Sequence, residues 1–302
     1  MDFNLKNVPS QKGRIAIVTG ANNGIGFETT LAMAKHGFKT IMACRNIAKA
    51  EKAKTEILSK VPAADLDILQ LDLSNLESVK TFAKNFKSKY PQLNVLINNA
   101  GVLVYSGKKN KVGVELQFAT NHLGHFLLTN LLIGLMPDSS ASRIVALSSL
   151  AHKAAKIHFD DLNCEKTDDP DAPYGQSKLA NLMFVDELNR RLKRAGKKTV
   201  ALAVHPGGSD SGLFDEMSKV KYYTFKILSP FILNSNASAA KPSLFAALSS
   251  DIKGGEYLGP QGFNEFKGKV GFAKRSDYSK REDVAKKLWQ LSEEMTGQSF
   301  LI

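Results

Sequence analysis

Residues 174–181 read YGQSKLAN, with Tyr174 four positions before Lys178. Side chains four apart share one face of a helix, and a phenol beside an ammonium group can do acid–base chemistry. A free tyrosine has a pKa of about 10, so about one in a thousand is ionised at neutral pH. Proton donors and acceptors work best with a pKa near the operating pH. Lowering a phenol by about three units takes roughly 4 kcal/mol. A cation about 4 Å away in a half-buried site supplies about that much, so Lys178 is expected to lower Tyr174 in this way. Leu179, Leu182, Met183, Val185, Leu188 and Leu192 follow at mostly helical spacing, so a packed helix would fix the pair's geometry. A chance pairing of two common residues is the plain alternative, and the rest of the chain decides.

A second candidate is the loop TGANNGIG, residues 19–26, with glycines at 20, 24 and 26. It follows a short apolar, β-branched stretch, RIAIVT (14–19), and opens a helical one. Gly20 suits a tight turn off a strand. Gly24 and Gly26, with Asn22, Asn23 and Ile25 around them, would let backbone approach a pyrophosphate and let helix pack on strand. The helix N-terminus then offers unpaired N–H groups and partial positive charge to that anion. A glycine-rich turn without a ligand is the bland reading. The strand before and helix after favour a dinucleotide site. The second strand ends in MACRN (42–46), where no acid is present to meet the ribose 2′-hydroxyl of NAD. Arg45 can instead grip a 2′-phosphate bidentately, so NADP is the expected cofactor.

These residues need elements to hold them. Apolar strand-like stretches at 14–19, 38–44, 66–71, 94–99, 143–149 and 199–205 alternate with helix-like ones. The helices read as 24 to Gly37, 48–59, 76–89, a long one over 112–136, and the YGQSKLAN helix to about 194. Such alternation implies parallel pairing and right-handed crossovers. The expected fold is one α/β domain over residues 1–302, a doubly wound, mostly parallel sheet with helices on both faces.

With TGANNGIG, LDLSN, NNAG, TNHLG, SS and YGQSK in this order, nearly the whole chain resembles the short-chain dehydrogenase/reductase family. The resemblance implies a catalytic tetrad of Asn121, Ser149, Tyr174 and Lys178. Ser148, its neighbour, would be structural. It implies that Asp72 and Leu73 meet the adenine, and that Asn99, Ala100 and Gly101 lie along the cofactor. Pro206, Gly207 and Ser211 would follow the sixth strand. The family usually carries threonine where Ser211 stands, and serine keeps the hydroxyl that holds the nicotinamide amide. Hydride would pass between nicotinamide and a carbonyl or carbinol carbon, with Tyr174 as general acid/base. Lys178 would also hold the nicotinamide ribose, and Asn121 a relay water. A homodimer through the helices of Asn121 and Tyr174 is a further implication. Tyr174 stands 25 residues after Ser149. That insert, with HPGGSDS (205–211) and the tail YLGPQG…LWQLSEEMTG, is similar to the retinol-dehydrogenase-like and protochlorophyllide-reductase-like branch. A non-catalytic NADP-binding regulator on the same fold is the rival reading, and the intact tetrad argues against it.

The segment at about 208–236 is expected to be a substrate lid. It contains GLFDEMSKVKYYTFKILSPFIL (212–233), rich in apolar side chains with Lys219, Lys221 and Lys226 among them. It suits a bulky apolar carbonyl or alcohol and permits peripheral contact with an anionic membrane. The net charge of +12 could draw nucleic acid. However, the densest basic run (Lys267, Lys269, Lys274, Arg275, Lys280, Arg281) is interrupted, so no specific nucleic-acid partner is expected. Cys44 and Cys164 match no metal or redox spacing, and His122, His125 and His205 match no HExxH pattern, so no metal is expected. The longest apolar stretch, FLLTNLLIGLM (126–136), is too short to span a bilayer. Two cysteines and no leader-like apolar N-terminus lead to an expected cytoplasmic location.

Overall fold

The computed structural model describes residues 4–105, 107–208, 234–300 and 302. The expected lid therefore lies almost wholly outside the described residues, as does Ser211. β1 (Ile15–Thr19), β2 (Lys39–Cys44), β3 (Asp65–Gln70), β4 (Val95–Asn98), β5 (Arg143–Leu147) and β6 (Val200–Val204) pair in parallel. Beyond the six strands expected from the sequence, the sheet continues through β7 (Tyr257–Pro260) and an antiparallel edge strand β8 (Val270–Phe272). These two strands have four and three residues, too few for a periodic signal. The order is β3-β2-β1-β4-β5-β6-β7-β8. It reverses between β1 and β4, and ligands of such sheets bind beyond the carboxyl ends of the strands at that switch point.

Strand neighbours point to opposite faces, and the core divides accordingly. Ile15, Ile17, Leu96, Ile144 and Ala146 pack on one side, and Ala16, Val18, Val95, Ile97 and Val145 on the other. The second side meets α1 (Gly24–Lys35), α2 (Ile47–Lys60) and α6 (Lys241–Leu248). The first meets α3 (Leu76–Lys89), α4 (Gly124–Ile133), α5 (Ala172–Arg194) and α7 (Glu282–Thr296). In α3, Asn75 caps the first turn, and Val79, Phe82, Ala83 and Phe86 form the buried stripe.

The long helix expected over 112–136 is shorter and irregular. Gly113 has φ +84°, and the Asn110 side chain accepts from the N–H groups of Val112 and Val114. That turn chemistry replaces helix. The buried Glu115 carboxylate then accepts from the N–H groups of Gln117 and Phe118 and starts the helical backbone. A π-helical turn, Phe118–Leu123, precedes α4. Gly124 follows it because a Cβ there would lie 2.3 Å from the Leu73 carbonyl oxygen.

The helices that the resemblance implies for a homodimer also pack against the C-terminal helix of the same chain. α7 packs along α5 and the π-helical turn, and Trp289 and Phe300 close over Phe126 of α4. No described helix is long and apolar enough to cross a membrane.

Candidate active site

Thr19 closes β1 and joins the two loops of the switch point. Its oxygen accepts from the N–H groups of Asn99 and Ala100, each at 2.9 Å, and the Asn99 amide donates to its carbonyl at 2.7 Å. The same hydroxyl lies 2.9 Å from Nε2 of His125, whose Nδ1 is 2.9 Å from the Asn121 carbonyl oxygen. A carbonyl can only accept, so Nδ1 carries the proton and Nε2 accepts from Thr19. Burial pushes the His125 pKa down to about 3, which keeps the ring neutral.

The glycine loop is built without spare volume. Gly20 has φ +65°, and a Cβ on Gly26 would lie 2.1 Å from the Gly20 carbonyl oxygen. Asn23 caps the N–H of Gly24 at 2.8 Å, and the first turn of α1, with Ile25 buried beneath it, has no acidic residue. The N–H groups of Ala21 and Asn22 reach the Cys44 thiol, keying the loop to the end of β2. The exposed Arg45 guanidinium makes no ion pair or hydrogen bond with the described residues. A bare backbone cradle, helix N–H groups without intrahelical partners and an available guanidinium fit a dinucleotide carrying an extra phosphate. Asp72 lies at the same sheet edge, with its carboxylate accepting from Ser74 N–H and hydroxyl. Pro206 and Gly207, the latter at φ +74°, continue that edge past β6.

The structure brings the expected tetrad together. Tyr174 stands half-buried in the first turn of α5, its phenol within electrostatic reach of the Ser149 hydroxyl. Lys178, one turn on, is 4% exposed, and its Nζ lies 5.6 Å from the Tyr174 ring centroid. That Nζ donates to the Leu147 carbonyl at 3.2 Å. A Cβ on Gly101 would come 3.2 Å from Lys178 Nζ and 3.3 Å from Asn121 Oδ1, so the loop after β4 lies against the cluster. The expected lowering of Tyr174 is not found. Burial pushes its pKa up to about 12 against the pull of the Ser149 hydrogen bond. Burial likewise pushes Lys178 down to about 8. Desolvation outweighs the ammonium, which is turned to a backbone carbonyl.

Ser148 and Ser149 both lie past the end of β5, so strand alternation does not separate them. Their partners do. The buried Ser148 hydroxyl donates to the Lys178 carbonyl at 2.8 Å, whereas the half-buried Ser149 hydroxyl accepts from Ala151 N–H at 3.3 Å and lies within electrostatic reach of Tyr174. Asn121 is a brace. Its Oδ1 accepts from Val102 N–H at 2.8 Å, and its Nδ2 donates to the Val102 carbonyl at 3.1 Å and Ser177 Oγ at 3.0 Å. Those bonds use both amide N–H groups and leave Oδ1 one lone pair to which a relay water could donate. Val102, Leu103 and Val104, half-buried, and the 39% exposed Tyr105 form an apolar flank, with Tyr105 near enough to act on the Tyr174 charge. Sequence reasoning left Thr19, His125 and Ser177 without roles. His125 falls one turn after Asn121, which was the available signal.

Comparison with known proteins agrees with this geometry. The short chain dehydrogenase family model matches residues 14–221. Mouse retinol dehydrogenase 12 is 38% identical over 288 residues, covering 94% of this chain and 87% of that protein. Human retinol dehydrogenase 14 is 36% identical over 302 residues, covering 94% and 87%. A crystal structure of an uncharacterized protein from Mycobacterium paratuberculosis superposes with a TM-score of 0.82 at 35% identity, covering 99% of both chains. A short chain dehydrogenase from Shigella flexneri, solved in complex with NADP, shares the fold at 23% identity, with a TM-score of 0.64 over 82% of this chain and 96% of that one.

Proposed function

This chain belongs to the short-chain dehydrogenase/reductase family, in its retinol-dehydrogenase-like branch, and from that premise we propose an NADP(H)-dependent oxidoreductase for a bulky apolar carbonyl or alcohol. The observation that carries the reading is the pairing of Tyr174 and Lys178 one turn apart on α5, with the Lys178 Nζ 5.6 Å from the Tyr174 ring centroid and Ser149 within reach of the phenol. When bound, the nicotinamide would supply or accept the hydride. Tyr174 holds the proton: raised to about 12, its phenol stays protonated at neutral pH and can donate to a carbonyl oxygen as charge builds there. Ser149 would hydrogen-bond that same oxygen and stabilise the developing charge. Lys178, at about 8, is still mostly ammonium at pH 7 and can hold ribose hydroxyls. Arg45 supports NADP over NAD by its fit to a 2′-phosphate.

The substrate class follows from the Val102–Tyr105 flank and the apolar composition of 212–233, and the relatives' name, retinol dehydrogenase, fits a bulky apolar alcohol. The test is NADPH oxidation against a panel of aldehydes, ketones, quinones and retinoids, repeated with NADH. Activity should rise along a homologous aldehyde series, each buried methylene adding up to about 0.8 kcal/mol. Best activity on small charged keto acids or sugars would refute the substrate class. Equal use of NADH would refute the cofactor assignment.

A further inference from the structure

Ser149 sits two residues beyond β5, where no sheet ladder fixes it, in extended backbone at φ −156° and ψ 162°. Its hydroxyl caps a single 3₁₀ turn, Leu150–Lys153, a type of element with little stability of its own. Yet its carbonyl oxygen gathers three donors: the N–H of His152 at 3.2 Å, the His152 Nδ1 at 2.6 Å and the Tyr257 hydroxyl at 3.3 Å. We propose that Tyr257, together with His152, is a positioning residue that holds Ser149 turned toward Tyr174, an inference that rests on the role given to Ser149 above.

The groups around Ser149 meet at that peptide, with the Tyr257 hydroxyl also 3.4 Å from His152 Nδ1. His152 is fully buried, and because Nδ1 must carry the proton to reach a carbonyl, Nε2 is left without a partner. An unpartnered buried nitrogen is unfavourable, so the ring's placement is explained by what Nδ1 does. Tyr257 comes from β7, across β6, and its ring packs between His152 (centroids 5.2 Å) and His205 (5.1 Å). The 3₁₀ turn is also tied to a distant loop, since Lys153 donates to Glu265 at 2.6 Å. Glu265, at φ +61°, follows Asn264 at φ +46°. Two successive non-glycine residues in the left-handed region are strained, and such strain persists only where the surroundings hold it. Here the second carboxylate oxygen of Glu265 accepts from Lys274 N–H at 2.7 Å. Ser149 is thus held by groups more than a hundred positions downstream. A misplacement of about 1 Å at a reacting group can lower a rate by as much as 10²-fold.

The experiment is a double-mutant cycle on the best carbonyl substrate of the panel. Tyr257→Phe removes one hydroxyl and keeps the ring, and His152→Gln is the second variant. Each is measured for kcat, NADPH affinity by fluorescence and thermal unfolding, alone and combined with Ser149→Ala. Each should lower kcat about tenfold while leaving NADPH affinity within about twofold, and neither should lower kcat further once Ser149 is alanine. Full additivity with Ser149→Ala would overturn the proposal, as would wild-type kcat in Tyr257→Phe. A parallel loss of NADPH affinity and thermal stability would show a general scaffold and also overturn it. Wild-type kcat in Ser149→Ala itself would instead remove the serine assignment, and this proposal with it.

Discussion

The loop after β1 and the turn after β5 reach the same edge of the sheet, yet they are held there by different means. The first is backbone against backbone: Gly20, Gly24 and Gly26 lie where added carbon atoms would collide or φ is positive. The second depends on particular polar atoms brought from far along the chain, the Ser149 carbonyl meeting Tyr257 across 108 positions. The proposed cofactor side should therefore be broken by adding atoms, and the proposed proton-transfer side by removing them.

The largest effect should come from deleting one oxygen. Tyr174→Phe should lose about 10²–10⁴-fold in turnover while folding and binding NADPH normally. Single-turnover kinetics with cofactor fluorescence checks this, and retention of more than about a tenth of the rate would break the comparison. Adding one methyl should do the converse. In Gly26→Ala the new Cβ meets a backbone oxygen at 2.1 Å, with no flexible side chain to yield. A loss of about 3 kcal/mol, the upper end for overpacking, is expected in urea denaturation, together with weakened cofactor binding.

Arg45→Asp sharpens the cofactor side alone. Calorimetric titration should show NADPH affinity falling about tenfold or more, the scale of a lost charge-assisted contact, with NADH affinity spared.

The smallest effect at neutral pH lies at the joint between the two regions, where His125 links Thr19 to Asn121. An unfolded histidine takes up a proton near pH 6.5, whereas folded His125 refuses it until about 3. The unfolded state therefore binds more protons between these values, and stability falls as pH drops through that window. His125 alone contributes up to about 1.4 kcal/mol per pH unit there. In His125→Gln the slope of unfolding free energy against pH should be shallower by that amount. An unchanged slope would mean that the folded ring takes up a proton as readily as the unfolded one.

Legibility followed the same divide. Glycine spacing, strand–helix alternation and the Tyr174–Lys178 interval are local patterns, and the doubly wound sheet and that pair were readable from them, whereas Asn121 and Ser149 came only with the family resemblance. Local pattern did not carry the bonds between distant segments. It missed the Thr19–His125 link, the Asn121 amide engaged by Val102 and Ser177, and the strands β7 and β8, which are too short to show alternation. The Tyr174 expectation failed for a related reason. Helical spacing placed the ammonium nearby but said nothing of the burial that raises the phenol, nor of the Leu147 carbonyl that engages Lys178.

α7 adds a consequence for behaviour on dilution. The helix bearing Tyr174 is braced by a segment of its own chain: Trp289 stacks on Phe184, Ser292 lies 2.9 Å from His122 Nε2, and the Arg191 guanidinium sits 4.4 Å from the Trp289 ring centroid. A brace joined to the same chain is present at a fixed effective concentration however thin the solution. Mass action has no hold on that contact, so the helix bearing Tyr174 keeps this support however dilute the protein.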